Sequence, residues 1–242
     1  MIKKDKWITN EINKNAYTLS PDGIDEKSFK KEWERFETSN KNSKYFVCSK
    51  IDTKDIKKIS QVQNVNFKLI DTNLTFEFKK KDPAITTSLD YEDSIRFAEE
   101  KHESMICDMA FNNFKYSRFH LDPEINNSTA NKLKRNWVKN YFAGNRGDSM
   151  IVSIRDGALV GFLLLIFQSN DLIIDLVCVK SDQRRSGIAS KMINFVKDKF
   201  KYTTLKVGTQ VCNIPSLRTY EKLGFKIFNT NYIFHYHNKT LK

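Results

Sequence analysis

Glycine and proline are scarce, at 8 and 4 of 242 residues, which excludes collagen-like repeats and a low-complexity Gly/Pro linker. Cysteine is equally sparse. Cys48, Cys107, Cys178 and Cys212 form no C-x-x-C pair and have no neighbouring histidine, so no zinc or redox site is expected. Reduced, mostly buried thiols in a cytoplasmic protein are the reading. Long apolar runs are missing too: the longest, residues 159–167, is far below the ~20 residues of a spanning helix. Residues 1–15 hold no apolar signal core, so neither export nor membrane insertion is expected. Acids are the minority charge, 29 against 41 Lys and Arg, for a formal net charge of +12. That balance fits partners carrying phosphate, although runs such as Lys79-Lys80-Lys81 read as solvated faces in a composition rich in Lys, Asn, Ile and Phe. Recognition-helix, zinc-finger and RNA-sheet aromatic patterns are absent, so nucleic acid is not an expected partner.

Apolar residues, 40% of the chain, suffice for one sizeable core or two small ones. The patterning predicts a helix over 25–38 (Phe29, Trp33, Phe36), a short strand over 44–49, a helix over 53–62 and one or two strands over 67–78. Residues 79–88, with Asp82-Pro83, are the best connector. This sets a soft boundary between an N-terminal α/β domain, 1–85, and a larger domain, 86–242. A helix is expected over 91–114, with Ile95, Phe97, Ala98, Met105, Ile106, Met109 and Ala110 in the core. A second is expected over 127–142, capped by Asn127 or Ser128 and carrying Leu133, Trp137 and Tyr141. Strands over 150–155, 159–167 and 172–179, with turns at Asp156-Gly157 and Ser169-Asn170-Asp171, make an antiparallel meander. An amphipathic helix over 188–200 then leads to a strand over 205–211, parallel to 172–179 through a right-handed crossover.

The most informative stretch is Gln183-Arg184-Arg185-Ser186-Gly187-Ile188-Ala189, which joins the strand at 172–179 to the helix that follows. Such a junction holds anions, because the first N–H groups of a helix lack carbonyl partners and lie at the positive end of its dipole. Gly187 lets a phosphate approach closely, Ala189 keeps the turn narrow, and Arg184 and Arg185 add charge-assisted bonds. The pattern Arg-x-x-Gly-x-Ala is short, but a second unit makes it more specific: Asn213-x-x-Ser216-x-x-x-Tyr220-x-Lys222-x-Gly224-Phe225.

Together the two units resemble the GNAT superfamily of coenzyme A-dependent N-acetyltransferases. The resemblance implies an α+β fold, a mixed and mostly antiparallel central sheet with flanking helices, here with a smaller degenerate GNAT-like N-terminal domain. It implies acetyl-coenzyme A as donor, with its pyrophosphate on residues 183–189 (Gln183, Arg184, Arg185, Ser186, Gly187, Ile188, Ala189). Asn213 and Ser216 are expected at the cofactor, and a main-chain N–H near Val177, Cys178 or Val179 at the thioester oxygen. Tyr220 is expected at the sulfur as general acid. Strands 172–179 and 205–211 splay apart in that fold to admit the pantetheine arm.

Residues 116–123, the Trp137 helix, 203–213 and 229–236 further resemble the TDP-fucosamine-type nucleotide-sugar N-acetyltransferases, with a weaker likeness over 45–78. This implies an acceptor amine on a nucleotide-linked 4-amino-6-deoxyhexose, a role in bacterial surface glycan synthesis, and a homodimer. Arg118 suits a nucleotide diphosphate, while Phe119, Tyr232 and Phe234 suit packing on a base or a sugar. His120 and Gln210 complete the candidate substrate surface. His120, Asp122 and Asp175 are the candidate bases, with Asp175 equally readable as a hydrogen-bonded structural carboxylate. No metal ligand set is expected. Two other readings stay open: transfer to a protein, polyamine or other small amine, and a non-catalytic acyl-coenzyme A-binding module.

Overall fold

The computed structural model describes residues 1–80 and 95–238. Their elements are β1 (Ile2–Lys4), α1 (Lys6–Ile12), β2 (Asn15–Leu19), α2 (Glu26–Asn40), β3 (Tyr45–Asp52), α3 (Ile56–Asn64), β4 (Lys68–Lys79) and β5 (Ile95–Phe97). There follow α4 (Glu103–Asn113), α5 (Arg118–Leu121), α6 (Asn127–Phe142), β6 (Ser149–Arg155), β7 (Ala158–Gln168), β8 (Asp171–Val179), α7 (Ile188–Lys199), β9 (Thr204–Gln210), α8 (Ile214–Lys222) and β10 (Lys226–His237). All described strands join one sheet in the order β1-β2-β3-β10-β4-β9-β8-β7-β6-β5. β2 and β3 pair in parallel, as do β8 and β9.

Local chemistry sets the boundaries. Asp5, Asp25, Asp55 and Asn126 each accept a first-turn N–H with the side chain and start α1, α2, α3 and α6. Asn126 is therefore the cap of α6, in place of the expected Asn127 or Ser128. Asp156 and Gly157, at φ 50° and 73°, turn β6 into β7 with the twist such a hairpin needs.

The expected helix over 91–114 is corrected. Residues 91–94 lie outside the described residues, and Ile95–Phe97 is a strand on the sheet edge, paired with residues 151–153 of β6. His102 Nδ1 accepts the Glu99 N–H (2.9 Å), a reciprocal cap that starts the helical stretch only after the strand. Met105, expected in the core, is 47% exposed, whereas Ile106, Met109 and Ala110 are buried. Residues 67–78 give one strand, β4.

The expected boundary at residue 85, with most of the connector around Asp82-Pro83, lies outside the described residues. On either side of it the sheet is shared, because β10 inserts between β3 and β4. Ile8, Phe46 and Cys48 pack with Phe119, Leu133 and Ile233 in one cluster, so apolar burial also joins the two halves.

One irregularity positions everything below. Leu164 pairs with Leu176 and Leu165 with Ile174, leaving Asp175 as the extra residue of a bulge. Alternation changes phase there: Leu172 and Ile174 face the α7 side of the sheet, Leu176 and Cys178 the α4–α6 side. The ladder between β8 and β9 ends at Ile174↔Val207, although β8 continues to Val179 and β9 to Gln210. Past that pair the two strands separate.

Candidate active site

The loop into α7 carries two successive left-handed features, Arg185 at φ 65° and Gly187 at φ 80°. Gly187 is the cap residue and offers no side-chain acceptor; its carbonyl takes the Lys191 N–H at 2.9 Å. The first N–H groups of α7 therefore stay free. A Cβ at Gly187 would meet no protein atom within 4 Å, so the outward face of this turn is open. Ser186 Oγ donates to the Gln183 carbonyl (2.5 Å), and Gln183 Oε1 accepts from Arg155 (3.3 Å). Arg184, expected to meet phosphate, instead donates to the main chain, to Asn113 O at 2.7 Å and Val179 O at 3.4 Å. It ties the loop to the end of α4, and Arg185 is left as the exposed cation. Ile188 is buried under the helix, with Ala189 half-buried beside it.

Where β8 and β9 separate, β8 turns main-chain donors into the gap. Lys180 N–H bonds the Val160 carbonyl of β7 (2.9 Å), and amide directions alternate along a strand. Cys178 N–H thus faces β7, while those of Val177 and Val179 face the side β9 has left. Asn213, at the start of α8, donates to Thr209 Oγ1 (3.1 Å). Tyr220 is 3% exposed, with ring contacts to Phe76 at 5.6 Å and Phe225 at 5.8 Å. Burial pushes its phenol well above the usual tyrosine range, against a hydrogen bond to Ser216 that lowers it. The hydroxyl is thus always protonated near neutrality and can donate.

The opposite face of the sheet holds the candidate acceptor residues. Asn231, Asn73 and Gln210 are direct cross-strand partners on β10, β4 and β9, so their carboxamides form a row on the α5–α6 face. Gln210 hydrogen-bonds Asp71, whose pKa burial pushes up to about 6. Asp71 is 6% exposed, and its Oδ2 has no partner among the described residues. Arg118 donates to Cys48 Sγ at 3.0 Å and stacks 4.7 Å from the Phe119 ring centre. Phe119, expected at the substrate, is 1% exposed and Phe234 equally so; both are core, Phe119 because α5 presses on the sheet there and Phe234 because it packs under α2 and α3 on the other face. Tyr232 is half-buried, against α2–α3 side packing.

All three candidate bases are occupied. Asp175 accepts Trp137 Nε1 (2.8 Å) and both Arg146 Nε (2.7 Å) and Nη2 (2.6 Å), so the bulge residue is a structural carboxylate. His120 bonds Ser117 Oγ (2.6 Å) and Asn131 Oδ1 (2.9 Å) through its two ring nitrogens, and burial lowers its pKa. Asp122 Oδ2 accepts from His235 Nδ1 (2.6 Å) and His237 Nε2 (2.8 Å), and Oδ1 from Glu124 N–H (2.9 Å). Burial would raise the Asp122 carboxyl; the two imidazoles override it and hold it well below the usual range.

Asp122, His235 and His237 are close enough for one metal ion, but their surroundings favour a hydrogen-bonded relay. Lys14 Nζ lies on His237 Nδ1 at 3.2 Å, where a metal-ligating histidine needs an acceptor. Behind His235 is Cys48, whose thiol burial would raise but Arg118 and His235 together lower. A cleft of about 1390 Å³ runs beside this relay, between Lys41, Lys68, Tyr45 and Tyr236.

Sequence reasoning missed Asp71, Arg146, Lys134 and the histidine pair. Lys134 carried a legible signal, since Ala130, Lys134, Trp137 and Val138 share one helical face. It is 8% exposed, and burial lowers its pKa to about 8.

Residues 109–225 match the model of the Acetyltransferase (GNAT) family. Over 133 residues the chain is 30% identical to the spore coat polysaccharide biosynthesis protein SpsD of Bacillus subtilis (strain 168), covering 54% of this chain and 46% of that protein. The match thus spans about half the relative's length. Among solved structures, a functionally unknown conserved protein from Staphylococcus epidermidis ATCC 12228 aligns with TM-score 0.63 at 14% identity, over 93% of this chain and 85% of its own. A GCN5-related N-acetyltransferase from Sphaerobacter thermophilus aligns with TM-score 0.60 at 10% identity, over 98% and 75%. No described helix is long and apolar enough to cross a membrane.

Proposed function

We propose that this chain, in which residues 109–225 form a GNAT acetyltransferase domain, moves an acetyl group from acetyl-coenzyme A to the amine of a nucleotide-linked 4-amino-6-deoxyhexose, with TDP as the expected nucleotide. The observation that carries the reading is the separation of β8 from β9 beyond Ile174↔Val207, next to a helix whose start has no side-chain cap. A thioester donor supplies an activated acyl group; the chain's own groups do the rest. The free N–H groups of α7, with Arg185, suit a diphosphate. The Val177 and Val179 amides suit the acyl oxygen as it gains negative charge. Tyr220 donates to the departing sulfur, as a hydrogen bond that strengthens while charge accumulates, since a raised phenol does not ionise ahead of a thiol of ordinary pKa ~8.5.

For the acceptor, the carboxamide row Asn231, Asn73 and Gln210 offers alternating donors and acceptors to hydroxyl groups. Arg118 supplies a cation for phosphate, and the relative SpsD is named for polysaccharide biosynthesis. The residues that would make a nucleotide-sugar surface thus include atoms from both halves of the chain; a homodimer and a place in cytoplasmic sugar-nucleotide metabolism belong to the same proposal. The test is free-thiol release from acetyl-coenzyme A with TDP-amino sugars, peptides and polyamines in parallel. Release with the TDP-4-amino sugars alone is expected. Release with peptides or polyamines instead transfers the reading to those acceptors. Thermal stabilisation by acetyl-coenzyme A with release by none of them reduces the chain to a binding module.

A further inference from the structure

We propose, building on the acetyl-transfer reading above, that the Lys134 side chain accepts the proton of the incoming amine. Asp175, His120 and Asp122 have their polar atoms committed to Arg146 and Trp137, to Ser117 and Asn131, and to His235, His237 and Glu124. Lys134 does not. Among the described residues no hydrogen bond or ion pair holds its Nζ, which lies 4.9 Å and 4.7 Å from the ring centres of Phe114 and Trp137. Yet the residue is only 8% exposed, so its ammonium keeps little hydration and its charged form is disfavoured.

Its place matters more than its cost. Lys134 Nζ lies over the Trp137 ring, 4.7 Å from its centre, and Trp137 Nε1 donates to Asp175 at the bulge of β8 (2.8 Å), which puts the amine beside the part of β8 that has parted from β9. That is the stretch whose Val177 and Val179 amides face the gap. Burial bears most on its charge and pushes the proton off; Asp175 holds it on, Arg118 and Arg146 push it off, the Cys178 thiol, itself pushed up to about 12 by burial, is uncharged there, and neighbouring His120 is held neutral. The balance lowers the ammonium to about 8, close to where a general base works best near neutral pH.

The step balances. The amine nitrogen bonds the acyl carbon, neutral Nζ takes the proton that nitrogen sheds, and the carbon–sulfur bond breaks. Tyr220 hydrogen-bonds the departing thiolate, which takes its proton from solvent, while Lys134 passes its own to solvent. Arg cannot take the part of Lys here, because a guanidinium stays charged.

The test compares Lys134→Arg and Lys134→Met with wild type. Both are expected to lower kcat/KM about 100-fold or more, with the dissociation constant for coenzyme A and the melting temperature near wild type. Imidazole and trimethylamine, which accept a proton but hold no stable acetyl amide, should restore part of the rate to Lys134→Met and none to wild type. Independently of turnover, ¹⁵N spectra of the lysine side chains should show two Nζ titrating near 8, those of Lys134 and of Lys197, which burial lowers as well, and Lys134→Met should remove one of them. Full activity in Lys134→Arg, or a Lys134→Met spectrum that loses none of the depressed Nζ signals, overturns the assignment while leaving acetyl transfer intact. No thiol release by wild type with any acceptor overturns both readings together.

Discussion

Among the described residues there are two strand–helix–strand crossovers between parallel neighbours, β2–α2–β3 and β8–α7–β9, and only one of these is equipped for an anion. At the start of α2, Asp25 accepts the Ser28 N–H at 3.0 Å, with Glu26 beside it. A carboxylate there fills the free donors and repels any second negative charge. At the start of α7, Gly187 leaves the donors open. The strands differ in step: every residue of β2 pairs with β3, from Asn15↔Tyr45 to Leu19↔Ser49, whereas β8 and β9 part beyond Ile174↔Val207. Topology alone therefore does not make a coenzyme site. It takes an uncapped helix and an open ladder in the same crossover.

Gly187→Asp would give α7 the cap that α2 has, and should be the most damaging change. Coenzyme A affinity is expected to fall on the order of 100-fold, because several charge-assisted bonds to one anion are lost together. The fold should survive, since a Cβ at this position meets no protein atom within 4 Å and the left-handed backbone costs only about 1–2 kcal/mol. Calorimetric titration with coenzyme A checks this, and an unchanged dissociation constant would break the comparison outright. Tyr220→Phe comes next. It keeps the ring contacts to Phe76 and Phe225 and removes only the donor, so kcat should drop about 10- to 100-fold at constant coenzyme A affinity. An unaltered turnover number would remove Tyr220 from the chemistry.

The strand, turn and helix around Gly187 are legible in the sequence because their signals are local: a glycine at the turn, an apolar strand before it and a helical period after it. The Asp156-Gly157 turn is local in the same way. What escaped depends on residues far apart in the chain. Asp175 reads as a possible base until Arg146 and Trp137 arrive from α6 and its following loop. Cys48 and His235 become cross-strand neighbours only because β10 returns between β3 and β4, an insertion no periodicity announces. Three-residue β5 is too short for alternation to outvote the helical spacing behind it. Arg184 shows the converse error: a cation in the right motif was assigned to phosphate, while its nearest acceptors are main-chain carbonyls of the chain itself.

β4 faces both halves, and Asp71 on it should leave a smaller, pH-dependent mark. Burial raises its pKa to about 6, above the ~3.9 of an unfolded chain. Between those values the folded state binds more protons than the unfolded one, so stability falls as pH rises through that window and levels off above it. Asp71→Asn should cancel this fall: the variant gains on wild type from about pH 4 to about pH 6 and keeps a constant lead beyond. Urea denaturation across that range measures it. A constant difference at every pH would mean an ordinary carboxylate at Asp71, with its Oδ2 satisfied by solvent.

The smallest effect should come from reversing the comparison at its other end. Asp25→Gly frees the first N–H groups of α2 and should lower the melting temperature slightly, through loss of the cap. It should not create coenzyme A binding, even in a Gly187→Asp background where the original site is gone. Glu26 still places a negative charge in the first turn, and β2 and β3 remain hydrogen-bonded along the whole of β2, leaving no gap for an extended arm. Titration of the double variant separates the two requirements. Recovered binding would mean that an uncapped helix suffices and that the parting of β8 from β9 is dispensable.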